Sequence, residues 1–158
     1  MNLKIGQGID FHRLEKGHNL FLGGIEIPSE KGCVAHSDGD VLLHAICDAL
    51  LGAAGLNDIG HHFPDSDAEY RDIDSKILLK RTILLIRKKG YKVVNIDSTV
   101  CLEMPRISPY ISEMKEVISK ITDISSEDIS IKATTTEKLG FTGREEGIVA
   151  LAVALLKK

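Results

Sequence analysis

Gly147-Ile148-Val149-Ala150-Leu151-Ala152-Val153-Ala154-Leu155-Leu156 is the stretch on which the fold turns. It is almost continuously apolar, so periodicity alone admits either a buried strand or a buried helix. We read it as a strand, because Val149 and Val153 are β-branched and Gly147 stands at its start. The remaining elements then tally to an α+β domain, a mixed β-sheet with helices packed on one face.

Leu3 to Ile9 reads as a strand whose glycines allow another backbone or a ligand to come close. Asn19 to Ile27 reads as a hairpin turning at Gly23-Gly24. Asp38 to about Leu51 is helical, stopped by Gly52 and Gly55, and a polar run from Gly55 to Asp67 follows, long enough for a connector to suggest function. Asp74-Ser75 caps a helix reaching about Lys89, and Tyr91 to Leu102 is a strand broken at Met104-Pro105. A helix from Ile107 to about Ile121, a turn at Ser125 to Asp128 and a strand from Ile129 to Thr135 complete the tally.

At 158 residues the chain, 1–158, fits a single domain with a real core. A formal charge of −3 and no long basic tract argue against nucleic acid as a partner. No basic start is followed by an apolar run, and no segment reaches the ~20 apolar residues that span a bilayer, so we expect a soluble, cytoplasmic protein with no membrane partner. Cys33, Cys47 and Cys101 are odd in number and widely spaced, which suits reduced, packed thiols.

Chemistry concentrates in two places. In Gly8-Ile9-Asp10-Phe11-His12, residues two apart on an extended strand share a face, so Asp10 and His12 can reach one ion at a strand end. In His36-Ser37-Asp38-Gly39-Asp40 and the helix after it, Asp40, His44 and Asp48 fall at i, i+4 and i+8. His44 completes an Asp-His-His ligand set for zinc or another divalent ion such as Mn²⁺ or Co²⁺, with Asp40 and Asp48 as partners able to fix its tautomer. The plainer reading is a hydrogen-bonded boundary histidine and a helix cap at 36–39, against an anion site at a helix N-terminus. The second place is Lys132 to Arg144, in which three threonine hydroxyls, Glu137, two lysines, two glycines and Arg144 can bind a phosphate chain. It matches no Walker pattern, and a β-prone threonine run followed by a glycine loop would look the same.

His36 to Asp40 with His44, Asp58-Ile59-Gly60, Phe63-Pro64-Asp65, and Lys132 through Arg144 together resemble, in order, the signatures of the 2-C-methyl-D-erythritol 2,4-cyclodiphosphate synthase family of the non-mevalonate isoprenoid pathway. The resemblance implies zinc at Asp10, His12 and His44, and Mg²⁺ or Mn²⁺ at Glu137 on the substrate diphosphate. It implies catalytic roles for His36 and Thr135. Substrate contacts follow for Ser37, Asp58, Ile59, Gly60, Phe63, Asp65 and Asp67, for Met104, Pro105, Arg106, Ala133 and Thr134 around cytidine, and for Phe141 and Arg144 beside phosphate. The implied reaction is attack of a substrate 2-phosphate on the β-phosphorus of a cytidine diphosphate substrate, releasing CMP, in a phosphorus-oxygen lyase. A homotrimer with active sites between subunits is implied too, and an isoprenoid diphosphate gripped by Arg144 on the three-fold axis is a further expectation. A zinc-dependent nucleotide phosphoester hydrolase and a non-catalytic trimeric metal-binding protein are the rival readings. Asn57, where the family has glycine, and His61-His62 depart from the pattern.

Overall fold

The final run is a strand in the computed structural model, which describes residues 2–158. Seven strands and five helices follow one another: β1 (Leu3–Lys16), β2 (Leu20–Leu22), β3 (Ile25–Ile27), β4 (Lys31–Val34), α1 (Val41–Ala54), α2 (Ile59–His62), α3 (Ser75–Lys88), β5 (Lys92–Cys101), α4 (Ile111–Thr122), β6 (Ile129–Thr134), α5 (Gly140–Gly143) and β7 (Gly147–Lys157). β7 is the middle strand of a five-stranded sheet ordered β4-β1-β7-β5-β6, and β2 and β3 form the hairpin. Only β5 and β6 run parallel, which makes the sheet mixed as expected.

Alternation along β7 explains its place. Ile148, Ala150, Ala152, Ala154 and Leu156 are buried on the face that meets the helices, while Val153 on the other face is 39% exposed. The small residues matter because α1 lies directly on β1 and β7. A Cβ on Gly6 would stand 2.0 Å from the Ala49 carbonyl oxygen, and one on Gly8 would stand 1.9 Å from that of Ala45. Opposite these glycines, β7 presents Ala154 and Ala152. The helix therefore rests on a floor nearly without side chains, and the next two residues facing the same way are Asp10 and His12.

α3 packs on α1, and α4 packs on β6 and α3, so the helices share one face. The opposite face of the sheet carries exposed Ile5, Ile9 and Phe11. Cys33 and Cys47 are buried, and burial pushes both thiols up to about 12, consistent with packing roles. Among the described residues no helix is long and apolar enough to cross a membrane.

Several expectations are corrected. β1 continues to Lys16, because Arg13 to Lys16 pair with the unforeseen β4; Asp10 and His12 thus lie within a strand rather than at its end. α1 begins at Val41 and runs through Gly52, which packs without conflict, to end at left-handed Gly55. The polar run after it is not an irregular connector. Asp58 caps α2 by accepting from the His61 N–H, and Asp67 caps a short 3-10 turn at Ala68–Tyr70. β6 stops at Thr134, one residue early, and α4 is preceded by a 3-10 turn at Ser108–Tyr110.

Candidate metal centre and the two clefts

α1 runs antiparallel to β1 above the glycine floor, so its first turn arrives where Asp10 emerges. There His44 Nδ1 stands 3.1 Å from Asp10 Oδ2, and His12 Nδ1 stands 3.1 Å from the same oxygen. All three ligand atoms lie within 4.8 Å of one another. A tetrahedral ion with arms of about 2.0–2.2 Å has ligand edges of roughly 3.3 Å, close to this spacing. His12 Nδ1 is moreover buried without a hydrogen-bond partner, since its approach to Asp10 lacks the geometry of one. An orphaned ring nitrogen, a carboxylate and a second ring nitrogen turned to a common point fit a divalent cation.

The electrostatics agree. Burial alone would raise the Asp10 carboxyl, but the facing His12 and His44 rings overcome it and hold it well below the usual carboxylate range. Burial likewise favours neutral His44, yet Asp10 draws its pKa upward.

Behind the triad, His44 Nε2 faces the hydroxyls of Ser75 at 2.9 Å and Ser37 at 3.2 Å. The sequence assigned this supporting role to Asp40 and Asp48, and neither plays it. Asp40 is fully buried as the cap of α1, accepting from the N–H groups of Leu43, Gly23 and Gly24, which ties the hairpin turn to the helix. Asp48 Oδ1 accepts from the Ile59 N–H at 2.7 Å and anchors α2. Helical spacing put both on the right face but could not reveal the competing backbone donors.

The triad opens into a cleft of about 500 Å³ lined also by His36, Ser37, Ile59, Gly60, Phe63 and Asp65. His36 Nε2 is buried and unpartnered beside it. Tyr70, Ile73 and Leu78 complete its apolar wall, and carried no signal distinct from ordinary packing residues. Asp58 and Asp67 serve as the caps described above and do not line the cleft.

A second cavity of about 230 Å³ lies across the sheet, lined by Glu103, Pro105, Arg106, Ala133, Thr134 and Thr135 among others. Met104 is 58% exposed and turns to a different hollow. β7 and β5 separate β1 from β6, a lateral distance of roughly 14 Å at the usual strand spacing. The two cavities share no lining residue. Glu137 stays on the far side, accepting from the Thr135 hydroxyl at 3.3 Å. Phe141 packs against Phe11 with ring centroids 6.2 Å apart, and exposed Arg144 is engaged bidentately by Glu146 at 3.1 Å. One residue was missed here: Glu103 Oε1 accepts from the N–H groups of Thr136 and Lys138 and so gathers a loop in which Glu137 and Lys138 adopt positive φ. A lone glutamate beside Met-Pro gave no sequence cue.

The YgbB family model matches residues 3–157. A 2-C-methyl-D-erythritol 2,4-cyclodiphosphate synthase from Bacteroides fragilis is 58% identical over 158 residues, covering 100% of this chain and 99% of that protein. The solved structure of the bifunctional IspDF from Campylobacter jejuni is 41% identical with a TM-score of 0.95; the match covers 99% of this chain but only 42% of that one. A solved 2C-methyl-D-erythritol-2,4-cyclodiphosphate synthase in its CDP-bound form is 37% identical with a TM-score of 0.90, covering 98% of this chain and 100% of that one.

Proposed function

The chain belongs to the YgbB family, and from that membership we propose that residues 1–158 form a single synthase domain that cyclises 4-diphosphocytidyl-2-C-methyl-D-erythritol 2-phosphate to 2-C-methyl-D-erythritol 2,4-cyclodiphosphate, releasing CMP. The observation that carries the reading is the Asp10-His12-His44 convergence in the wall of an open cleft of about 500 Å³. The substrate supplies its own nucleophile. A 2-phosphate oxygen forms a bond to the β-phosphorus as the bond from that phosphorus to the bridging oxygen breaks, and CMP leaves with the electron pair. This is phosphorus-oxygen lyase chemistry, and it asks the protein mainly to fold a polyanion into line and offset its charge.

Asp10, His12 and His44 would hold zinc, and Glu137 a Mg²⁺ or Mn²⁺ ion on the diphosphate. Such ions supply Lewis-acid polarisation and a template for the phosphates. His36, through its unpartnered Nε2, and Ser37 bind the diphosphate beside the triad, and Ile59, Gly60, Phe63 and Asp65 wall the erythritol part. Asp58 and Asp67 support this wall as caps. Pro105, Arg106, Ala133 and Thr134 receive cytidine, with Met104 at the edge, and Thr135 steadies the reacting phosphates. Phe141 and Arg144 lie on the phosphate side.

Because the two cavities lie apart in one chain, each active site draws its cleft from one subunit and its cytidine pocket from the next, in a homotrimer. The exposed Ile5, Ile9, Phe11 and Val153 give such an assembly an apolar contact face. An isoprenoid diphosphate on the three-fold axis would have to draw Arg144 from Glu146. The protein acts in the cytoplasm.

The test is turnover of the proposed substrate with and without chelator, restoring Zn²⁺ and Mg²⁺ separately. CMP and a cyclic diphosphate are the expected products; a linear phosphate would favour the hydrolase instead. Mixing a His44→Ala variant with an Ala133→Glu variant tests the shared site, since neither alone should turn over and their mixed trimers should.

A further inference from the structure

Ser75 is fully buried at the start of α3, and its hydroxyl is within 2.5 Å of Asp38 Oδ1 while its N–H donates to Asp38 Oδ2 at 2.9 Å. The Asp40 N–H also donates to Asp38 Oδ1, at 3.1 Å. With three donors converging on it, the Asp38 carboxylate acts only as acceptor. The single hydroxyl proton of Ser75 is therefore committed to Asp38. What remains on Ser75 Oγ is acceptor capacity, and the group that faces it is His44 Nε2 at 2.9 Å. When Nδ1 is given to an ion, the one remaining ring proton of His44 resides on Nε2, where Ser75 Oγ accepts it.

The same count removes a competing chemistry. Ser37 Oγ, His44 and Asp10 stand in line, with contacts of 3.2 Å and 3.1 Å, in the order of a serine nucleophile, its base and an orienting carboxylate. With Nε2 donating to Ser75, the ring nitrogen that faces Ser37 has no lone pair left to take its proton. The ring is turned from a base into a ligand.

We propose that Asp38 and Ser75 are positioning residues that fix the tautomer of His44 for metal binding, an inference that rests on the metal centre proposed above. They act through His44, and their orientation of a histidine ligand is the kind that changes metal affinity by about 10–100-fold. Zinc affinity of the full chain, measured by competition with a chromophoric chelator, is the readout, alongside the thermal midpoint of zinc-free protein. Ser75→Ala should bind zinc about 10–100-fold more weakly, with a lower zinc-free midpoint from the lost buried hydrogen bond, and Ser75→Thr should recover the affinity. In zinc-free Asp38→Asn at alkaline pH, the amide can donate to Ser75 and reverse the chain, so the imidazole nitrogen shifts of His44 should report a proton moved to Nδ1. Wild-type affinity in Ser75→Ala, or unchanged His44 shifts in Asp38→Asn, would overturn the proposal; the shifts decide should Ser75→Ala fail to fold. Wild-type protein that binds no zinc brings down the metal centre itself, whereas zinc binding indifferent to Ser75 brings down only the relay.

Discussion

The two halves of the candidate site are built differently. The metal cleft is made by the interior: Asp10 and His12 extend a strand whose preceding face is glycine under α1, and His44 belongs to the first turn of that buried helix. The far half is a rim. Thr134 to Leu139 leave the end of β6 into solvent, Leu139 is 72% exposed, and one carboxylate, Glu103, gathers the backbone. A chain can finish a metal cage from its own core, because three ligands need only three fixed backbones. A long substrate needs reach, and here the reach is left to a surface that a neighbour can approach.

If that contrast is right, substitutions in the two halves should fail in different ways. The largest effect is expected from His44→Ala, which should lose bound metal and lower turnover by at least ~10³-fold, about 4 kcal/mol of barrier, in a chain that still folds; metal analysis and product assay check both. Next comes Gly8→Ala, whose Cβ would press on the Ala45 carbonyl oxygen at 1.9 Å, an approach only backbone movement can relieve. It should cost about 3 kcal/mol and lower the thermal midpoint by roughly 6–12 °C, and metal affinity should fall with it.

Asp40 gives a pH signature to the buried half. Burial pushes its carboxyl from 3.8 to about 6. A carboxyl raised on folding holds its proton while the unfolded chain has already released it, so its contribution to stability is greatest below about pH 4 and declines to a plateau above about pH 6. Relative to Asp40→Asn, the wild type should therefore lose up to about 3 kcal/mol across that window in denaturant titrations. In the rim, Glu103→Ala should raise KM about tenfold, near 1.4 kcal/mol, with zinc affinity and melting temperature unmoved; a drop in zinc affinity would break the division between the halves. Smallest of all, Arg81→Ala removes an exposed pair with Glu69 and should leave both melting and turnover unchanged.

Legibility in the sequence follows the same division. The hairpin at Gly23-Gly24, the cap at Asp74 and the strand character of the last run were readable because each depends on local chemistry. The convergence of Asp10, His12 and His44 was readable too, since two-residue alternation and helical spacing are backbone rules that the fold obeys. What escaped were pairings across long separations. β4 has only four residues and no alternation to announce it, yet it extends β1 past the ligands. Asp40 was legible as a polar residue on the right face and not as one claimed by Gly23 and Gly24, seventeen and sixteen residues upstream. Ser75 looked like part of a cap because its partner Asp38 lies 37 residues away.

β1 carries a last implication in its alternation. Phe11 sits between Asp10 and His12 of the candidate metal centre, and its side chain, 55% exposed, turns to the uncovered side of the sheet, where it meets Phe141. One stretch of backbone is thus shared by an outer wall and an inner cage, with a single peptide unit between them. In the homotrimer proposed above, whatever grips the wall would also set the spacing of the cage, so dilution that separates its copies should loosen the hold on added zinc before any element unfolds.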